Sequence, residues 1–386
     1  MTTVYFDYAA TTPVDPRVLE EMLPYMSDDY GNASSIHHMG RKPSVVAETW
    51  RGKIASLLEA KPAEIIFTSG GTESNNAAIF GALAASEGKH IISAKTEHNA
   101  VLHPVEYAQK MGYEVSWLPL DSDGRVTPDA LKQCLRKDTA LVSLMHVNNE
   151  TGTVQPIEEL TTICKDQGVA FHCDTVQSVG KIPVSVKTLG VDFLSMSAHK
   201  IYGPKGSGAL YVRSGAPWKP WMHGGSHERG RRGGTLNVPG ICGLGKALEL
   251  AVQEMQQNTR HLRELKDYFI QQLQEIIPDN YTFNGHPDTC IPHILSVTLK
   301  DHNGQPMDGE MLLLNLDMEG ICCSNGAACT SGTILPSHVM MALGYNEDMA
   351  RSTLRFSMGT SNTTEQVNHV IHTLKKIIDR HSEASS

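Results

Sequence analysis

Lys200 stands at the end of SMSAHK, just past a short apolar run from Val191 to Leu194 that reads as a buried strand. Gly203-Pro204-Lys205-Gly206 then turns the chain into a second strand, Gly208 to Val212. A lysine at a strand end, fenced by Ser, His and Gly, is an amine held for chemistry, because partial desolvation lowers its pKa and frees a nucleophile. A loop lysine on its own is more often simply solvated. Four further segments shift that balance. TSGGTESNN lies between the strand Glu64 to Phe67 and a helix. There, free backbone N–H groups, close approach at Gly70 and Gly71, and the Thr72 hydroxyl make a phosphate cradle. KTEHNAV puts His98, HVNNETG puts Asn149, and HCDTVQSVG puts Asp174 and Gln177 at C-terminal ends of apolar strands, where open parallel sheets bind ligands. An amine, an acid, an imidazole, an amide and a cradle at such ends fit pyridoxal phosphate. That cofactor takes a lysine Schiff base, an aspartate for its pyridinium nitrogen and a nest for its phosphate.

A thiol and a guanidinium stand apart from these. Cysteines in apolar surroundings are usually inert core, which is the reading for Cys134, Cys164, Cys173, Cys242 and Cys290, and for Cys322 and Cys323 at a strand end. Cys329 is different, because CSNGAACTSG is a run of small residues that buries little and moves easily. An accessible thiol there is reactive, and a use for it is expected. Arg355, in TLRFSMG, is either a structural ion-pair partner or a bidentate fork for a substrate carboxylate. GICGLGKA, Gly240 to Ala247, approaches a nucleotide-binding P-loop but has Ala247 in place of the magnesium-binding hydroxyl and no strand leading in, so it is rejected.

The elements that must position these groups follow from the alternation of apolar runs. His90 to Ala94, Glu114 to Leu118, Ala140 to Val147 and Val169 to Cys173 are β-branched strands with helical stretches between them. Such strands belong to a parallel sheet covered on both faces, an α/β domain. After Gly240 the character changes. Glu254 to Ile276 forms one amphipathic helix, with Leu262, Leu265, Phe269, Leu273 and Ile276 on one stripe. Strands Ile294 to Leu299, Ile321 to Cys323 and Thr353 to Met358 build a smaller α+β unit. A last helix begins with a capping box, Thr363 to Gln366, buries Val367, Val370, Ile371, Leu374 and Ile378, and frays in HSEASS.

At 386 residues, two domains are expected. A hydrophobic share of 40% with 19% charged residues is that of a soluble enzyme, and a net charge of −9 argues against gripping nucleic acid or anionic lipid directly. No apolar run approaches the ~18 residues of a membrane span and MTTVYFDYAATTP lacks a signal pattern, so a cytoplasmic location is expected. The eight cysteines contain no C-x-x-C pair, so neither a disulfide scaffold nor a metal site is expected.

Taken together, FDYAATTPVDPRV, GNASSIHHMG, FTSGGTESNN, SAKTEHNAV, VSLMHVNNETG, HCDTVQSVGK, SAHKIYGPKG, HGGSHERGRRGGTLN, CSNGAACTSG and LRFSMG resemble, in order and over nearly the whole chain, the NifS- and IscS-like cysteine desulfurases. The resemblance implies a fold-type I pyridoxal phosphate enzyme and a homodimer. It implies a large domain with a mainly parallel seven-stranded sheet (16–255), and a smaller α+β domain (256–386) that residues 1–15 join and that carries the mobile Cys-bearing loop of about 322–336. It further implies Lys200 as the Schiff-base lysine, Asp174 on the ring nitrogen, Gln177 on the phenolic oxygen and His98 stacked on the ring and relaying protons. Gly71, Thr72, Ser197 and His199 would hold the phosphate, joined by Thr235 from the second subunit. Asn149, Arg355 and Asn32 would hold the substrate carboxylate, and Cys329 would accept sulfur from L-cysteine and pass it to an acceptor protein. That acceptor would serve iron–sulfur assembly, tRNA thiolation or DNA phosphorothioation. Ala33 stands where members usually have Pro, and Arg232-Gly233 where Ser or Pro usually precedes the Gly. The sequence ends at Ser386 without the C-terminal extension by which housekeeping members dock a cluster scaffold, which argues less for that scaffold as partner. The alternatives are a selenocysteine lyase or an aminotransferase on the same scaffold, and a colourless thiol or metal-binding adaptor using Cys322, Cys323 and Cys329.

Overall fold

A computed structural model describes residues 3–286, 288–326 and 335–385. Its strands are β1 (Val4–Tyr5), β2 (Ile65–Thr68), β3 (His90–Ser93), β4 (Glu114–Trp117), β5 (Thr139–Met145), β6 (Ala170–Asp174), β7 (Phe193–Ser197), β8 (Gly208–Val212), β9 (Tyr281–Phe283), β10 (Ile294–Leu299), β11 (Ile321–Cys322) and β12 (Thr353–Ser357). Seven of them form one sheet in the order β2-β8-β7-β6-β5-β3-β4. Strands β3 to β7 are parallel, and β8 runs antiparallel to both β7 and β2. It follows that β2 has the same sense as β7, so the C-terminal ends of β2, β3, β5, β6 and β7 share one edge.

Alternate residues of these strands point into different cores. Ile65, Phe67, Ile92, Val142, Phe171 and Leu194 face one apolar layer, while Ile66, Ile91, Leu141, Ala170 and Phe193 face the other. Both faces are therefore dry, as unbroken apolar strands require. A separate core gathers Leu295, Val297, Leu299, Leu354 and Phe356 of β10 and β12 under the last helix, whose Val367, Val370, Ile371, Leu374 and Ile378 are fully buried. The N-terminal segment belongs to this second core. Strand β1 pairs in parallel with β11, and Phe6 packs edge-on against Phe269 and Phe356.

One helix runs further than the sequence suggests. It spans Val238–Ile276, roughly 58 Å at the α-helical rise, whereas its amphipathic stripe is legible only from Glu254. The early part was hidden because GICGLGKA is poor in helix formers. The glycines are there for contact: a Cβ on Gly245 would lie 2.2 Å from Cε3 of Trp50. This explains the P-loop-like spelling as close packing of helix against helix. The helix's first half contributes Ile241, Leu244 and Leu248 to the sheet's core, and its second half Leu265, Phe269 and Leu273 to the other. The last helix starts as expected, with Thr363 and Gln366 exchanging side-chain and backbone hydrogen bonds, but continues to Ser385 rather than fraying at His381. Among the described residues, no helix is long and apolar enough to cross a membrane.

Candidate active site

The shared edge of the sheet opens into a cleft of about 190 Å³. Gly71, Thr72, His98, Asn149, Asp174, Gln177, Ser197, His199 and Lys200 line it, brought there by five different strand ends. The strand β2 stops at Thr68, and the helix Gly71–Ala85 begins with its first N–H groups unpaired toward the cleft. Gly70 makes that turn with φ of 146° and ψ of −173°, a region essentially reserved for glycine. A Cβ on Gly71 would lie 2.7 Å from Cγ2 of Val176, so the backbone comes as close as the absence of a side chain allows. Gly70→Ala is expected to lower stability by about 1–3 kcal/mol, measurable as a fall in the urea midpoint at unchanged slope.

The turn is braced from outside. The Arg232 guanidinium forks onto the Glu73 carboxylate (2.8 and 3.0 Å), and Glu73 also accepts the Ser69 N–H at 2.7 Å. The segment where this sequence departs from the usual pattern therefore holds the cradle by an ion pair.

Asp174, the last residue of β6, is 6% exposed and accepts from Asn75 Nδ2 (2.7 Å) and Val176 N–H (2.9 Å). Asn75 was not singled out in the sequence, although it lies one helical turn beyond Gly71 and so on the same face. His98 is the N-cap of the helix Asn99–Lys110, and its Nδ1 accepts the Ala100 N–H at 3.0 Å. An accepting nitrogen carries no proton, so the ring is neutral with its hydrogen on Nε2. Desolvation holds its pKa below the ordinary imidazole value against the pull of Asp174, and the positive helix end works in the same sense. His199 is half-buried beside Thr11 Oγ1 (3.2 Å), and burial aided by Lys200 brings its pKa down to about 4.

Lys200 Nζ donates to the carbonyl oxygens of Ala9 (2.6 Å) and Ala10 (2.8 Å). Burial, and then the nearby Arg355, bring its pKa down from 10.5 to about 8. Two uncharged acceptors hold the amine in place, and burial with Arg355 outweighs the pull of Asp7 and Asp174, which leaves the proton easy to lose.

Three expected residues do not line the cleft. The Arg355 guanidinium is engaged, donating to Asp7 Oδ1 and to the Asn149 carbonyl, both at 2.8 Å, while its buried Nε has no partner among the described residues. Burial demands that counter-charge, and Asp7 was not foreseen in that role. Asn32 is exposed and caps its own turn through Ser34 N–H, and Thr235 is exposed. Cys329 lies outside the described residues. Cys164, Cys173, Cys242 and Cys290 are core, and burial pushes the thiols of Cys164 and Cys242 up to about 12 and raises those of Cys173 and Cys290; Cys134, Cys322 and Cys323 are partly buried, with their thiols raised in the same way.

This arrangement fits pyridoxal phosphate. A glycine turn at a helix N-terminus suits a phosphate, Asp174 suits a protonated ring nitrogen, and Asn75 Oδ1 and Asn149 Oδ1 are buried with no partner among the described residues. The chain belongs to the class-V aminotransferase family, whose model matches residues 4–370. Its relatives are more particular. It is 49% identical over 379 residues to the cysteine desulfurase IscS of Dictyoglomus turgidum, covering 98% of this chain and 95% of that one. Among solved structures, a NifS-like protein superposes with a TM-score of 0.90 at 37% identity, covering 98% of this chain and all of that one (100%). SspA in complex with cysteine does so with a TM-score of 0.81 at 34% identity, covering 94% and 100%. Pyridoxal phosphate is the cofactor of this family.

Proposed function

We propose that this protein is a pyridoxal phosphate-dependent cysteine desulfurase. The observation that carries the proposal is the half-buried Lys200 amine in one cleft with Asp174 and the Gly71 helix N-terminus. The bound cofactor supplies a ring able to delocalise the charge left when an amino acid loses its α-proton. Gly71, Thr72, Ser197 and neutral His199 hold the phosphate, with Thr235 added from a second copy of the chain. The Asp174 carboxylate would keep the ring nitrogen protonated, Gln177 would donate to the phenolic oxygen, and His98 would stack on the ring. Lys200 would anchor the cofactor, and as a free amine it would take the proton from the substrate Cα. Asn149 would meet the substrate carboxylate, with Arg355 turning part of its fork from Asp7 to join it, and Asn32 would have to be carried in from its exposed turn outside the cleft.

Cys329 accepts the sulfur. Its thiolate sulfur bonds to the substrate sulfur as the Cβ–S bond breaks. The bonding pair stays on carbon, which takes a proton, so cysteine plus thiol gives alanine plus persulfide. A thiol of ordinary pKa, ~8.5, is only a few per cent ionised near neutrality, so a positive site must help it ionise, or a base such as His98 once its Nδ1 is released from the Ala100 N–H. The active form is a cytoplasmic homodimer that hands the sulfur to an acceptor protein. The net charge of −9 favours reaching any nucleic acid through that partner.

Purified protein loaded with pyridoxal phosphate is expected to be yellow and to release alanine from L-cysteine, with no keto acid formed. 3-Mercaptopyruvate or glutamate-linked products would point to an aminotransferase, and a colourless, metal-bearing protein to an adaptor.

A further inference from the structure

Lys181 lies four residues beyond Gln177 in the turns of TVQSVGK, and no role was read for it in the sequence. We propose that Lys181 is a positioning residue: by donating from Nζ to Gln177 Oε1 (2.8 Å), it fixes that carboxamide with its N–H edge available to the cleft. The proposal rests on the reading that the cleft takes pyridoxal phosphate.

The two ends of a carboxamide are nearly equal in size, so only neighbours decide which faces where. Gln177 has two such neighbours. The Ala9 carbonyl can only accept, and it takes Gln177 Nε2 at 2.9 Å. The Lys181 amine has N–H bonds to give whether charged or neutral, so the orientation holds through its titration. Both demand the same flip. With Oε1 and one N–H so occupied, the second N–H of Nε2 is left for an oxygen in the cleft, beside Asp174 and Lys200.

The surroundings of Lys181 argue that the amine is there for this bond. Its other partner is His293 Nε2 at 3.2 Å, which accepts whenever the amine is charged. Among the described residues Lys181 has no carboxylate partner, and the charged groups facing it are Lys200 and Arg355, both repelling. Lys266 and Arg355 act on His293 in the same sense, and burial lowers the proton affinity of both Lys181 and His293. Methionine would fill this volume without the cost of an amine among cations. Losing Lys181 leaves the Ala9 carbonyl as the one remaining constraint, so Gln177 turns its Oε1 toward the cleft for part of the time, where an acceptor meets an oxyanion and raises that oxygen's proton affinity.

The test compares wild type, Lys181→Met and Lys181→Arg, each loaded with pyridoxal phosphate, by titrating the visible band of the bound cofactor against pH. In Lys181→Met the midpoint is expected to rise by about one pH unit, the size of one lost charge-assisted hydrogen bond. The affinity for the cofactor should weaken about tenfold by the same measure. Lys181→Arg should restore both, because the side chain borders a second cavity of about 160 Å³ with room for its extra atoms. If Lys181→Met does not fold, Lys181→Gln takes its place in the comparison with the same upward shift expected. A folded variant whose midpoint stays at the wild-type value, even with a lower melting temperature, overturns the proposal. Absence of any visible band in the wild type would instead overturn the reading of the cleft itself.

Discussion

Replacing Lys200 with alanine is expected to slow alanine formation from L-cysteine by on the order of 10³-fold or more, the scale of losing a positioned base together with a covalent anchor. The environment of the amine is the reason. At a pKa of about 8, roughly a tenth of it is unprotonated at pH 7, against about 0.03% for an ordinary lysine. Burial thus raises the supply of free amine by more than two orders of magnitude. Lys200→Arg keeps a cation between Ala9 and Ala10 but offers no free amine, so it should be as inactive as alanine. The same pKa sets a pH profile. Only the unprotonated amine attacks, so the rate at which apoprotein develops its visible band with pyridoxal phosphate should rise with pH through a midpoint near 8. Alanine yield by amino-acid analysis checks the first expectation, and turnover within tenfold of wild type in Lys200→Ala would remove Lys200 from the mechanism.

The second large effect belongs to Cys329→Ser. A serine hydroxyl at neutral pH supplies almost no nucleophilic anion, whereas a thiol is both more acidic and a better partner for sulfur. The variant should keep the cofactor's visible band and lose alanine release with no persulfide formed, a separation of binding from chemistry that Lys200→Ala does not give. The buried thiols cannot substitute, since burial raises Cys164, Cys173 and Cys242 well away from ionisation. Undiminished alanine release from Cys329→Ser would assign the sulfur acceptor elsewhere.

Strand ends were legible in the sequence because each carries two signals at once, an apolar run and an abrupt change to polar, chemistry-bearing residues. His98, Asn149, Asp174, Gln177 and Lys200 were found that way, and the parallel sheet explains why they converge. Three kinds of information were not legible. Asn75 and Lys181 sit one turn into their segments, so their relation to the cleft depends on which face of the turn looks inward. Asp7 and the Arg232–Glu73 pair are contacts across large sequence separations, which no local pattern encodes. The first half of the long helix was concealed by its glycines, whose reason is the shape of Trp50 and not any propensity of their own. Arg355 shows the limit from the other side. Both uses foreseen for it were chemically sound, and in this structure the guanidinium spends its hydrogen bonds on Asp7 and on the backbone of Asn149.

The carbonyls that receive Lys200 Nζ belong to Ala9 and Ala10, and the segment bearing them is tied to residues synthesised far later. Val4 pairs with Ile321, Tyr8 N–H reaches the carbonyl of Ser357, and Asp7 meets Arg355. During translation the reactive lysine leaves the ribosome long before the strands that seat its acceptors. A nascent chain therefore carries an ordinary, fully charged lysine, and the amine acquires its chemical competence only when the far end of the polypeptide has come home.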